Sequence, residues 1–325
     1  MQEYITAFLI LFIIGVVGIC VNGVCVYKIR KITEMQNVFG YICFSHCISN
    51  IGVLTIFVCF GSPMILFQNK SDFIYLINTK FGQLGMFFWY ISMYSHVFIC
   101  VNRFLAIYFP LKYNKIFTFR NSCYYVGSIW VIATIHILPY FGRYCDYYFD
   151  AEAYLWTFSL SECSHILGGI IDFYISLVYV SFTIVTDLLI FAKLWHRTRN
   201  NKNTLELKTQ QQTTAADGRK TNLGTKTFYR RTIVNFKSQV GPKKERPQTQ
   251  NKHRIKFFLQ AFCQNLLFLA EINSFYLISV YFTEPLSIMA FTSVAWELCH
   301  ALDGVILMLF NAEIRKIFTN CGSKK

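Results

Sequence analysis

Seven long apolar runs alternate with polar or basic stretches along the chain. A helix that crosses a bilayer needs about 20 mostly apolar residues. Segments at roughly 4–27, 38–67, 81–108, 122–141, 165–192, 255–282 and 286–310 all reach that length. The second run is longer than a span requires, so Pro63 is expected to kink or end it. Only Thr283, Glu284 and Pro285 separate the sixth and seventh runs, which makes them a tight hairpin. Between about Asn200 and Gln250 the apolar runs stop and Thr, Gln, Lys and Arg dominate, a composition that predicts disorder. Past the seventh run, Glu313-Ile314-Arg315-Lys316-Ile317-Phe318 mixes charge with apolar bulk, as a short amphipathic helix on a membrane face would. The pattern predicts an all-α membrane protein, a seven-transmembrane helix bundle with a short amphipathic C-terminal helix. Helices one to five fall in 1–199, a disordered loop insertion in 200–250, and helices six and seven with the tail in 251–325.

Composition agrees with the pattern. Of the 325 residues, 54% are hydrophobic and only 15% charged, against about 25% charged in soluble domains. The net charge of +14 resembles a nucleic-acid signal until it is sorted by loop. With the N-terminus outside, 28 of the 31 Lys and Arg lie in inner segments and three (Lys70, Lys80, Arg143) in outer ones. Setting aside the long third inner loop still leaves eleven against three, as the positive-inside rule requires. The charge therefore reports topology, N-terminus out and C-terminus in the cytoplasm, and no nucleic-acid partner is expected. Tyr4 to Tyr27, followed by Lys28, Arg30 and Lys31, reads as a signal anchor and lacks the features of a cleaved signal. Asn69-Lys70-Ser71 is the only N-x-S/T sequon and falls in the first outer loop, so Asn69 is the expected glycosylation site.

One arginine gives the bundle a candidate function. Asn102-Arg103 closes the third run, ahead of Phe104-Leu105-Ala106-Ile107-Tyr108-Phe109-Pro110-Leu111-Lys112-Tyr113. Arginine at the end of a membrane helix is costly in lipid and normally faces the bundle interior or water. At the cytoplasmic end of a third helix, it is where a seven-helix receptor would engage a G protein. Ordinary positive-inside anchoring accounts for the same residue without any function. No neighbour supplies an acid: Asn102 precedes it, and the sixth helix opens with the basic His253-Arg254-Ile255-Lys256. Any restraint on Arg103 at rest is expected to differ from a salt bridge.

Asp172, Asp187, Glu271, Glu297 and Asp303 lie within apolar runs, where acids are expensive unless they face the bundle interior. Glu297, His300 and Asp303 recur every three residues and so share one side of the seventh helix. Together with His96 and Glu271 they are candidates for a ligand pocket or, ahead of that, a structural hydrogen-bond network. Gly18 and Asn22-Gly23 suit close packing of the first helix. Most of the twelve cysteines sit in apolar runs as small hydrophobes. Cys145 and Cys163 instead flank the second outer loop on the oxidising side, where exposed thiols pair, so a disulfide is expected to fold that loop into a lid. No cysteine or histidine set has metal-ligand spacing, and no metal or cofactor is expected. G-x-S-x-G, P-loop, H-E-x-x-H and G-x-G-x-x-G motifs are absent, and 286–310 has no lysine for a retinal Schiff base. Nothing points to catalysis.

The seven runs and the Asn102–Tyr113 block make the chain resemble a rhodopsin-like G-protein-coupled receptor. Finer motifs narrow the resemblance: Gln36-Asn37-Val38-Phe39-Gly40, Lys115-Ile116-Phe117-Thr118-Phe119-Arg120-Asn121, Trp156-Thr157-Phe158 with Cys163, Ala295-Trp296, Asp303-Gly304 and Phe310-Asn311-Ala312-Glu313. Jointly these are similar to the nematode serpentine receptor class X (Srx) chemoreceptors, from the first helix to the tail except about 200–250. The resemblance implies a chemosensory receptor for small environmental molecules in the plasma membrane of sensory cilia. It implies coupling of a heterotrimeric G protein at Asn102 and Arg103, and ligand entry from the outer face.

Departures from the rhodopsin-like pattern carry their own expectations. Residues 76–82 hold no cysteine for the usual bridge to the third helix, so the Cys145–Cys163 pair is the expected substitute. Asp303-Gly304 stands where an Asn-Pro pair would bend the seventh helix, and helices five and six carry no proline, so the activation hinge must differ. The 200–250 stretch is long for this class and is either a true insertion or a translated intron. Two other classes compete with a receptor. A ligand-gated odorant channel would place the N-terminus inside, against the charge asymmetry. A transporter should show related halves and Gly/Pro-broken helices, which are not seen.

Overall fold

The computed structural model describes residues 2–67, 71–220, 247–311 and 313–315. Asn69, the centre of the 200–250 segment and most of the expected tail helix lie outside the described residues. Seven helices are long and apolar enough to cross a membrane: α1 Gln2–Ile29, α2 Val38–Phe67, α3 Asp72–Tyr108, α4 Phe119–Phe141, α5 Glu162–Asn200, α6 Phe258–Tyr281 and α7 Pro285–Phe310. Short polar residues start them. Asn37, Ser71, Thr118 and Ser161 each accept a backbone N–H at a helix N-terminus, and Pro285 occupies the first turn of α7.

Two boundaries differ from the apolar pattern. Helix α3 begins at Asp72 rather than near 81, because its polar first turns are satisfied by tertiary partners: Asn78 bonds the backbone of Phe149 and Gln83 donates to the Tyr140 carbonyl. The helix of α5 continues to Lys220, past the boundary at 200 where disorder is expected to begin. Lys, Leu, Glu and Gln are good helix formers, and no proline interrupts them. The next helix starts at Pro247.

Close packing of α1 sets the bundle's edge. Ile5, Leu9, Ile13 and Val17 are exposed on one face, as lipid contact requires, while Ala7, Leu11, Gly15, Gly18, Asn22 and Cys25 are buried on the other. A Cβ added at Gly18 would lie 2.8 Å from the Ala301 Cβ, so glycine lets α1 approach α7. Gly23, expected to help, faces open space. Gly304 makes room for Asn22, since a Cβ there would lie 2.9 Å from the asparagine side chain. It does so at the place where a proline is the familiar alternative.

Each of α2, α5, α6 and α7 is interrupted by a π-turn, at Phe57–Gly61, His165–Asp172, Ser274–Ile278 and Ala290–Val294. The first directly precedes Pro63, whose missing N–H and bulky ring disturb the preceding turn. The other three supply irregular backbone where α5 and α6 have no proline and α7 has one only in its first turn.

Between α4 and α5 the chain forms a two-stranded antiparallel hairpin, β1 Tyr147–Asp150 with β2 Leu155–Phe158, pairing Tyr147 with Phe158 and Asp150 with Leu155. Asp150 closes the turn by accepting the N–H groups of Glu152 and Ala153. The Cys145–Cys163 disulfide is present and ties the ends of the hairpin together. Tyr147, Phe149, Tyr154 and Trp156 are buried, so the hairpin is a plug seated in the bundle mouth. Helix α3 holds it without a covalent bridge. Asn78 makes a two-way hydrogen bond with Phe149 (2.9 and 2.8 Å), and a Cβ at Gly82 would lie 2.0 Å from the Tyr147 carbonyl oxygen.

Candidate functional site

Beneath the hairpin lies a cavity of about 20 Å³, room for little more than one water. Its polar groups are Asp172 of α5 and Glu271 of α6, both buried. Tyr90 donates to Asp172 Oδ1 at 3.0 Å and Tyr276 to Oδ2 at 2.6 Å, while Tyr140 lies 2.7 Å from the Tyr90 hydroxyl. Helices α3, α5 and α6 are thereby joined through one carboxyl. Glu271 Oε2 has no hydrogen-bond partner. Tyr147 and Phe158 roof the space, and Trp296 forms part of its floor. Burial pushes the Tyr147 phenol well above its ordinary pKa, with the Asp172 charge adding to the effect.

Deeper in the bundle, a second polar group joins α1, α2, α3 and α7. Trp296 Nε1 donates to His300 Nε2 at 3.0 Å. An indole N–H can only donate, so His300 carries its proton on Nδ1 and donates it to Asn50 Oδ1 at 2.8 Å. Asn50 Nδ2 lies 3.3 Å from both Asn22 Oδ1 and Asp303 Oδ2. Ser92 Oγ lies 3.3 Å from both Asn50 Oδ1 and His46 Nδ1, and its one proton can go to either. Asn22 completes the set by donating to the His300 carbonyl.

This accounting leaves His46 Nε2 facing Asp303 Oδ2, with His96 Nε2 3.5 Å from the same oxygen. A neutral His46 with its proton on Nε2 donates to Asp303 and can accept from the Ser92 hydroxyl on Nδ1. His46, His96 and Asp303 place one ligand atom each within 4.8 Å of the others, a donor set that suits a transition metal. Chain spacing gives no metal expectation, because each ligand comes from a different helix.

The expected polar cluster is thus divided among three places. His96, His300 and Asp303 meet in the deep network, Glu271 lines the cavity, and Glu297 turns toward α1. A Cβ at Gly15 would lie 3.1 Å from Glu297 Oε1, and both Glu297 oxygens are buried without a hydrogen-bond partner. The threefold spacing groups Glu297, His300 and Asp303, yet 100° per residue spreads them over a broad arc of α7. His46, Asn50, Ser92 and the Tyr90–Asp172–Tyr276 group are not among the site residues that the sequence singles out. The i, i+4 pair His46 and Asn50 in an apolar helix is the available signal.

At the opposite end from the hairpin, Arg103 is buried on α3. Its guanidinium lies 5.1 Å from the Phe39 ring centre, and none of its three nitrogens has a hydrogen-bond partner. Asn102 does not hold it; its side-chain oxygen accepts from Tyr113 at 3.4 Å. The nearby acid, Asp187 of α5, bonds Asn265 of α6 at 2.7 Å and contacts the Cys100 thiol at 3.8 Å. Below Arg103, Ile107, Ile190, Leu194 and Phe258 form an apolar cluster that closes α3, α5 and α6 against one another. This end is held by apolar contact and the Asp187–Asn265 bond, with no salt bridge to Arg103 among the described residues.

The chain is similar in sequence to known proteins. The sequence profile of the family described as serpentine type 7TM GPCR chemoreceptor Srx matches residues 12–217 and 223–311. Serpentine receptor class X 45 of Caenorhabditis elegans is 24% identical over 98% of this chain and 82% of its own length. Melatonin receptor type 1A of Gallus gallus is 25% identical over 52% of the chain and 46% of the receptor. Neuromedin-U receptor 1 of Mus musculus is 24% identical over 41% of the chain and 30% of the receptor. The chain spans about half the length of the melatonin receptors it matches, or less. It belongs to the Srx family of seven-transmembrane chemoreceptors, an integral-membrane receptor family of the G-protein-coupled class and not an enzyme class.

Proposed function

We propose that the ligand enters the cavity under the hairpin and that a heterotrimeric G protein engages the opposite end at Asn102 and Arg103. The hairpin and N-terminus then face the outside, and the C-terminus and the 200–250 loop face the cytoplasm. The distribution of Lys and Arg supports this orientation, as does a disulfide in the hairpin loop. The plasma membrane of sensory cilia is the compartment in which such a receptor would meet small environmental molecules.

The observation that carries the coupling assignment is Arg103. A buried guanidinium without hydrogen-bond partners is expensive, and the expense has a purpose if a partner arrives on opening. Activation separates Phe258 from Ile107 and Leu194, carries the end of α6 outward and uncovers Arg103. The ligand needs only differential affinity for the two bundle states. Trp296 is the physical link, since its ring floors the cavity and its N–H is bonded to the deep network. In this scheme His96, His300 and Asp303 serve the network, Glu271 contacts ligand, and Glu297 sits between α1 and α7.

The test is Arg103→Ala in cells matched for surface expression, with G-protein activation read by an energy-transfer sensor across several Gα classes. Loss of signalling with ligand binding retained is the expected result. Intact ligand-evoked signalling removes Arg103 from the mechanism.

A further inference from the structure

The cavity under the hairpin contains negative charge and nothing positive to balance it. Asp172 and Glu271 line it and are 5% and 6% exposed. Hydroxyl groups approach both Asp172 oxygens, Tyr90 on one and Tyr276 on the other, and Tyr140 can supply the proton that lets Tyr90 donate. The 2.6 Å contact from Tyr276 has the length of a charge-assisted O–H bond to a carboxylate. A carboxyl that accepts on both oxygens acts as the ionised acid. Glu271 Oε2 is buried without a hydrogen-bond partner, so a second acid is available to a ligand. The remaining wall is largely aromatic, including Trp89, Phe275 and Trp296, whose ring faces attract cations. Among the described residues, no Lys, Arg or His lines the cavity.

We propose that this receptor's ligand is a small organic cation, a protonated amine on a compact apolar body. Its ammonium group lies between Asp172 and Glu271, and its body packs on the indole and phenyl faces. The proposal rests on reading the cavity as the ligand site and adds the ligand's charge class. An anion would meet the Asp172 charge, with a second acid beside it, in a desolvated space. A neutral odorant of the same shape would leave Asp172 without a counter-charge, so charge decides between them. The cavity has room for little more than one water, so binding must move the hairpin side chains Tyr147 and Phe158 apart from α6. That gives the ligand a preference for a widened state.

The experiment uses the full chain purified into lipid nanodiscs, with thermal unfolding followed against isosteric probes. These are 2-phenylethylamine, 2-phenylethanol and phenylacetate, with tetramethylammonium as a compact cation. The amine should raise the melting temperature saturably, with an apparent affinity at least about tenfold better than the alcohol, and phenylacetate should have no effect. Asp172→Asn and Glu271→Gln should each weaken the amine about tenfold or more and leave the alcohol within about twofold. Unfolding without probe reports whether each variant is folded, and Asp172→Glu, which keeps the charge, should retain amine preference. Equal binding of the alcohol, binding of phenylacetate, or no stabilisation by any cation at millimolar concentration overturns the proposal. Met86→Trp, which fills the cavity, separates the two levels of inference. A probe that is lost on Met86→Trp but shows no charge preference leaves the site and removes the amine. An amine that ignores Met86→Trp removes the site itself.

Discussion

Two polar regions share the interior of this bundle and differ in how their groups are paired. The deep network around Asn50 and Asp303 draws partners from four helices and satisfies its two asparagines through hydrogen bonds to neighbouring side chains and backbone. Arg103 lies buried against the Phe39 ring, and among the described residues its nitrogens have no hydrogen-bond partner. Burial is nearly the same in both, so burial does not predict role. Pairing does. A network in which most groups are paired, with Asp303 Oδ1 the exception here, fixes relative helix positions, whereas an unsatisfied charge raises the energy of the state that contains it.

Breaking the network should have the largest effect. Asp303→Ala removes the common acceptor of His46, His96 and Asn50 and leaves their donors without it. A loss of about 3–5 kcal/mol is expected, seen as a large drop in melting temperature in detergent and as intracellular retention in cells. If Asp303→Ala melts like the parent, the network is not what holds the helices.

Arg103→Met should move stability the other way. It removes a buried charge while keeping much of the volume, and such changes are neutral or stabilising by about 1–4 kcal/mol. Coupling should disappear while the melting temperature holds or rises. A strongly destabilised Arg103→Met would mean that the arginine has a structural partner, and the contrast between the two regions would fail.

Trp296→Phe tests the connection between cavity and network. It keeps an aromatic ring against the cavity but withdraws the N–H from His300 Nε2, at about 1 kcal/mol. Probe binding should stay within a few-fold in nanodiscs, and signalling at saturating ligand should fall. Unchanged signalling shows that the link runs through other residues.

Sequence alone exposes the bundle well and its interior poorly, for physical reasons. Apolar length marks a membrane span directly, so all seven helices are visible. The start of α3 is not, because Asn78, Thr79 and Gln83 break the apolar run and the two amides are satisfied only once the hairpin and its flank dock. Cys145 and Cys163 are visible as a pair because compartment restricts thiol chemistry. His46 is invisible as a site residue because its partners, Ser92 and Asp303, are 46 and 257 positions away. Arg103 is legible in both senses: its position suggests a role, and the missing acids around it anticipate the absence of a salt bridge in the structure.

The smallest expected effect addresses how the unpaired arginine is tolerated. Phe39 opens α2, and its ring is the group in contact with the guanidinium. A cation held over a desolvated aromatic face gains about 0.5–2 kcal/mol, enough to offset part of the penalty but not to trap the charge. Phe39→Leu keeps apolar bulk and removes the ring quadrupole. The closed state should then lose most of that increment relative to an open state in which Arg103 has left the ring. Basal G-protein activation should therefore rise a few-fold without ligand while surface expression stays near parental. In an Arg103→Met background there is no cation for the ring to hold, so adding Phe39→Leu should leave the melting temperature close to that of Arg103→Met alone. If the single variant is silent, the Phe39 contact is packing, and Arg103 is restrained by the apolar cluster around Phe258 alone.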